Sequence, residues 1–137
     1  MDMDQRIRQS FARQGMMTTM GARILSVSPG AVEIAAPIRP ETGQQQGFAH
    51  AALTFAIGDS AAGYAALSLL DEGTEVVTSE MKINLLSPGT GEQLIARGRV
   101  VKPGRRLIVV LAEVFAESDG KERQIALLTG TMVPVPV

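Results

Sequence analysis

Asp59 is the only charged side chain between residues 51 and 70, in the run AALTFAIGDSAAGYAALSLL. A carboxylate in apolar surroundings is costly unless it is hydrogen-bonded, paired or used in chemistry. Two readings follow. Asp59 is a structural aspartate bonded to backbone near Gly58, or it is a base or nucleophile held in an apolar setting. The single histidine, His50, stands at the start of the same run, within Gly47-Phe48-Ala49-His50-Ala51. On one helix the separation of His50 from Asp59 is half a revolution and about 13–14 Å of rise. The two side chains therefore cannot meet within one helix. If both serve one site, the helix start of one subunit meets the mid-helix of another, and the active form is an oligomer. The helix start brings a further element, because its first N–H groups lack internal partners and favour negative charge. The N–H groups near Ala51 and Ala52 are placed to hold a carbonyl oxygen as it becomes an oxyanion. Alternatively this is a plain capped helix start, with His50 bonded to the loop before it.

Other chemistries lack their residues. There is no Cys, so thiolate catalysis, Cys zinc sites and iron–sulfur clusters are excluded. One His rules out a site of several imidazoles. No GxSxG elbow presents a serine, and GxGxxG and GxxxxGK[ST] are both absent. Lys and Arg total 13 against 14 Asp and Glu, for a net charge of −1, so no bulk attraction to nucleic acid or anionic lipid is expected. With no Trp, four Phe and one Tyr, there is no aromatic platform for stacked bases. No metal, nucleic acid or membrane partner is expected. Residues 51–70 could span a bilayer in length, but Asp59 at mid-span would cost ~2.5 kcal/mol or more. The stretch reads instead as a buried helix. Met1-Asp2-Met3-Asp4 is acidic where a secretion leader is basic, and the expectation is a cytoplasmic protein.

The elements that must position these residues form one domain over 1–137. A short polar helix is predicted over about 3–14, with Ile7 and Phe11 on one face, followed by a docking segment with Met16, Met17 and Met20. Strands are predicted over 22–28 and 31–38, around Ser28-Pro29-Gly30, then a polar loop over 39–47. The long helix is predicted over about 49–70. Four strands follow over 75–86, 92–102, 105–117 and 122–133, spaced as an antiparallel meander. One small-residue helix with about six strands implies an α+β fold, a sheet curled around a central helix. Edge strands of such a sheet are usually managed by pairing, which again points to an oligomer.

Gln44-x-x-Gly47-x-x-His50-Ala51-Ala52 followed by Asp59 resembles the N-x-x-G-x-x-H-G-G-x-x-x-x-L-x-D motif of hotdog-fold thioesterases. The branch it looks most like is the phenylacetate-pathway, PaaI-like acyl-CoA thioesterases of the 4-hydroxybenzoyl-CoA thioesterase superfamily. Residues 78–84, Leu86-Ser87-Pro88-Gly89 and residues 98–105 are also similar to that family, and the resemblance covers roughly residues 10–133.

The resemblance implies hydrolysis of an acyl-CoA thioester, with coenzyme A as part of the substrate and no cofactor. It implies that the Ala51 N–H polarises the carbonyl and that Asp59 acts as base or nucleophile. Gln44 would orient substrate or water, Thr78 would place the water, and His50 would fix the loop. Gly47, Ala52, Asn84 and Arg105 are expected on the substrate side. Lys102, Arg105 and Arg106 at the Pro103-Gly104 turn could grip phosphates, though a charged turn is usually only solvated. The implied assembly is a dimer or a dimer of dimers (a homotetramer) with active sites shared between subunits. Three positions depart from the motif: Gln44 replaces Asn, Ala51 and Ala52 replace two glycines, and Ile57 replaces Leu. Two other readings stay open, a hotdog dehydratase or hydratase and a non-catalytic acyl-CoA binding module.

Overall fold

The computed structural model describes residues 1–137. Helix α1 covers Met3–Ala12, capped by the Asp2 side chain on the Gln5 N–H with Gln5 returning the bond. It stops two residues earlier than the predicted helix over 3–14. Gln14 is extended, and a separate short helix α2 runs over Gly15–Met20. This second helix is the methionine-rich docking segment, with Met17 in the core. Strands β1 (Arg23–Ser28) and β2 (Ala31–Pro37) form a hairpin, and a 3-10 turn covers Pro40–Thr42.

Helix α3 covers Ala51–Leu67, shorter at both ends than the predicted 49–70. At its start Ala49 is tied to Gly89 O, and His50 is extended. At its end the Ser68 hydroxyl donates to Ala65 O and accepts from the Gly30 N–H. Arg6 of α1 donates to Leu67 O and Leu70 O, satisfying carbonyls that the helix end leaves open. No helix is long and apolar enough to cross a membrane.

The remaining strands are β3 (Thr74–Leu85), β4 (Gln93–Pro103), β5 (Ile108–Ser118) and β6 (Lys121–Pro136). Together with β1 and β2 they make one antiparallel sheet in the order β1-β2-β4-β5-β6-β3, curled around α3. This is the expected α+β hotdog architecture. The strand predicted over 105–117 starts later because residues 104–107 form the turn. The strand predicted over 122–133 extends to Pro136, where its end pairs with the start of β3.

The expected meander holds for β4, β5 and β6 but not for β3, which lies at the far edge beside β6. The connection over 86–92 crosses the ends of β6 and β5. Leu86 and Ser87 donate to Ile125 O, and Glu92 donates to Glu117 O. The crossing is about 14 Å, three strand spacings, and seven residues reach ~23 Å. A Ser-Pro-Gly signal marks the chain reversal without saying which strand is met next.

The core lies between α3 and the inner sheet face: Leu53, Ile57, Ala61 and Ala62 of the helix share one cluster with Ile34, Ala96, Val114 and Leu128. Close approach needs glycine on the strand side. A Cβ on Gly98 would stand 2.4 Å from the Ala61 carbonyl carbon and 2.5 Å from the Ala62 nitrogen.

Candidate active site

Loop 43–50 is organised by its own polar groups. Gln44 Oε1 accepts from the N–H of Gln46 at 2.5 Å and of Phe48 at 3.1 Å. The Gln44 N–H donates to Phe48 O, and the Gly47 N–H to Gln44 O. Gly47 has φ +87° with open space around it, so the backbone conformation, not crowding, asks for glycine. The family resemblance implies a substrate- or water-orienting role for the Gln44 amide. In the folded chain its carbonyl end is spent on the loop, and its Nε2 donates to Gln46 Oε1 at 3.2 Å.

His50 is the N-cap of α3, and its Nδ1 accepts from the Ala52 N–H at 2.8 Å. Nδ1 therefore carries no proton in this arrangement, and the neutral ring holds its hydrogen on Nε2. Of the two amides singled out in the sequence, Ala52 is occupied by His50. The exposed Ala51 N–H makes no hydrogen bond within the chain. Together with Gln44, His50 and the Leu85–Gly89 segment, Ala51 lines a groove of about 540 Å³. Gly89 allows this proximity, since a Cβ there would press on Ala49 and Ile125 at 3.1 and 3.2 Å.

Asp59 is half-buried on α3, and Oδ1 accepts from the Thr78 hydroxyl at 2.7 Å. The bond is to a side chain on β3, not to backbone near Gly58. Gly58 lies in an unbroken helix and has a steric reason, because a Cβ would meet the Leu128 methyls at 2.9 Å. Thr78 reaches Asp59 where the β3–β6 register shifts between Thr78 and Glu80. Oδ2 takes no hydrogen bond within the chain, and no cation pairs with Asp59. Burial pushes the carboxyl above its ordinary value of 3.8, and the Thr78 hydrogen bond partly opposes this. Asp59 and Thr78 open into a second cavity of about 240 Å³.

The predicted residues thus fall into two groups. Gln44, His50 and Ala51 line one cavity, and Asp59 and Thr78 line the other. The eight-residue step from Ala51 to Asp59 is about 12 Å of helix, so one chain does not bring the groups together. Asn84 and Arg105 are exposed and line neither cavity. The sheet register sets Thr78, Met132, Ile108 and Pro103 in one row. The Arg105 turn is therefore about 14 Å from Thr78 across the sheet. Sequence reasoning missed Tyr64, Ser10, Gln14 and Glu75 around the second cavity. The one signal for them was the lone tyrosine, one turn beyond Asp59 in the same helix.

A family model described as the thioesterase superfamily matches residues 46–122, more than half of the chain and spanning both groups except Gln44. Among solved structures, a thioesterase family protein from Silicibacter pomeroyi is 46% identical with a TM-score of 0.96, covering 98% of this chain and 99% of that one. BH2602 of Bacillus halodurans, solved with CoA, is 25% identical with a TM-score of 0.78, covering 96% and 84%. The PaaI protein from the phenylacetic acid degradation operon of E. coli is 21% identical with a TM-score of 0.87, covering 97% and 93%, a likeness of fold. On the matched residues and this near-complete structural correspondence, the chain belongs to the thioesterase superfamily.

Proposed function

We propose that the chain hydrolyses an acyl-CoA thioester to the free acid and coenzyme A, in the manner of the PaaI-like branch. The observation that carries the reading is Asp59. It is a half-buried carboxylate with raised basicity, held by one hydroxyl, balanced by no cation and open to a cavity. Such a group is a stronger base than an ordinary carboxylate and suits proton abstraction. Water donates one hydrogen to Oδ2 of Asp59 while Thr78 Oγ1 holds it in place. Its oxygen attacks the thioester carbon, the carbonyl oxygen gathers charge against the Ala51 N–H, and the thiolate leaves with the proton. Direct attack by Asp59, giving a mixed anhydride that water then opens, uses the same residues. The reaction draws on no metal or redox cofactor, and Gly47 and Ala52 shape the loop and helix start around the carbonyl. CoA in the related BH2602 structure supports the choice of thioester.

The site is completed by a second copy. β3 is an edge strand, exposing Val77 and Leu85 at 51% and 58%. Antiparallel two-fold pairing of β3 with itself sets the Thr78 end of each strand against the Leu85 end of the other. Thr78 belongs to the carboxylate cavity and Leu85 to the oxyanion groove, so the pairing brings complementary halves together. Thiol release from short-chain, long-chain, benzoyl and aryl-acetyl CoA, with wild type beside Asp59→Asn, tests the reading. Release that falls at least a hundredfold in the variant is expected. Release that survives refutes Asp59, and acyl-CoA binding with no release from wild type favours a binding module.

A further inference from the structure

The cavity at Asp59 carries groups that the hydrolysis itself does not use. Tyr64 is 6% exposed, with its ring against Phe11 of α1. Its hydroxyl accepts from Gln14 Nε2 at 2.8 Å and shares a hydrogen with Ser10 Oγ at 3.0 Å. Glu75 of β3 lines the same cavity and makes neither a hydrogen bond nor an ion pair. No Lys or Arg lines it. The volume of about 240 Å³ corresponds to roughly eight waters at ~30 Å³ each.

We propose that this cavity receives the acyl group and selects a short chain bearing a neutral hydroxyl at its far end, read by Tyr64, Ser10 and Gln14, while Glu75 and Asp59 reject a terminal carboxylate. The inference rests on the thioesterase reading. With its carbonyl carbon beside Asp59, a thioester sends one substituent into the cavity. Coenzyme A is too large for it, and its phosphates would face two carboxylates. The acyl group is left. A hydroxyl both donates and accepts, so it can donate to Glu75 or Tyr64 Oη and accept from Ser10 or Tyr64. A methyl end desolvates those groups and returns no hydrogen bond. A carboxylate end meets like charge with no base to offset it. Beyond its carbonyl, a six-carbon acyl chain with a terminal hydroxyl brings six heavy atoms, which fit within the space of about eight waters.

The test compares kcat/KM for hexanoyl-CoA, 6-hydroxyhexanoyl-CoA and adipoyl-CoA in wild type, Tyr64→Phe and Glu75→Gln. In wild type the hydroxy chain is expected to exceed the plain chain roughly tenfold, with adipoyl-CoA slowest. Tyr64→Phe should bring the hydroxy-to-plain ratio towards unity. Glu75→Gln should raise adipoyl-CoA relative to hexanoyl-CoA by roughly tenfold, a gain that a misfolded variant cannot give. Equal or better turnover of hexanoyl-CoA in wild type, or ratios unmoved by both substitutions, overturns this inference alone. No thiol release from any acyl-CoA by wild type overturns the thioesterase reading and this one with it.

Discussion

His50→Ala separates a capping histidine from a proton-carrying one. His50 Nδ1 holds the Ala52 N–H at 2.8 Å, the one side-chain bond at the start of α3. Removing an N-cap costs about 1 kcal/mol, within a range of ~0.5–2. For a domain of this size that is a fall in Tm of roughly 3–5 °C. The same ~1 kcal/mol, if it all appeared in the transition state through a loosened Ala51 amide, would slow turnover only about fivefold. His50→Asn keeps a good cap and should recover most of the lost Tm. A general acid or base at this position would instead contribute about 10²–10⁴-fold, and Asn would not restore it. The assay is thermal unfolding beside kcat for thiol release, on the wild type and both variants. A loss of a hundredfold or more in kcat with Tm unmoved would refute the capping argument and favour dehydratase-type proton chemistry.

The raised Asp59 carboxyl links activity and stability in opposite senses. Its ionised form is needed for turnover, so kcat/KM should rise with pH through a value above 3.8. The folded chain binds this proton more readily than the unfolded chain does. The stabilising contribution is therefore full below 3.8 and lost as pH rises through the folded value. Asp59→Asn should accordingly raise Tm at about pH 7 while abolishing turnover, and the gain should shrink by about pH 4. Thr78→Val removes the hydrogen bond that opposes desolvation, so the acid limb of the rate profile should move to higher pH. The glycines at the helix should differ sharply. Gly98→Ala sets a Cβ against α3 backbone at 2.4 Å and should cost ~3 kcal/mol or more in urea unfolding. Gly58→Ala meets the Leu128 side chain at 2.9 Å, where methyls and not backbone must shift, and gains ~1 kcal/mol of helix propensity, so its net cost should be much smaller than that of Gly98→Ala.

Patterns local in the chain are legible in the sequence alone. The lone charge at Asp59 inside an apolar run marked both the buried helix and the residue in it that needed a partner, because an unpaired carboxylate there is costly. The half-turn geometry between His50 and Asp59 already kept the two side chains apart within one helix, and they line two separate cavities. Strand alternation and Ser-Pro-Gly, Pro-Gly and Asp-Gly turns located every strand to within a few residues. The helix ends were misjudged because a histidine cap and an arginine reaching from α1 leave no periodic signal.

What only the tertiary structure decided was pairing across distance. It placed β3 at the sheet edge beside β6 instead of beside β4, since a turn motif does not specify the strand it reaches. It chose Ala51 over Ala52 as the free amide by giving the second to His50. It brought Thr78 to Asp59 across a strand irregularity, and it gathered Ser10, Gln14, Tyr64 and Glu75 around one cavity from three separate segments. Composition and periodicity act over a few residues and fix which elements form. The groups that line one cavity meet only when those elements pack, and around Asp59 they come from the N-terminal residues 10–14, from α3 and from β3.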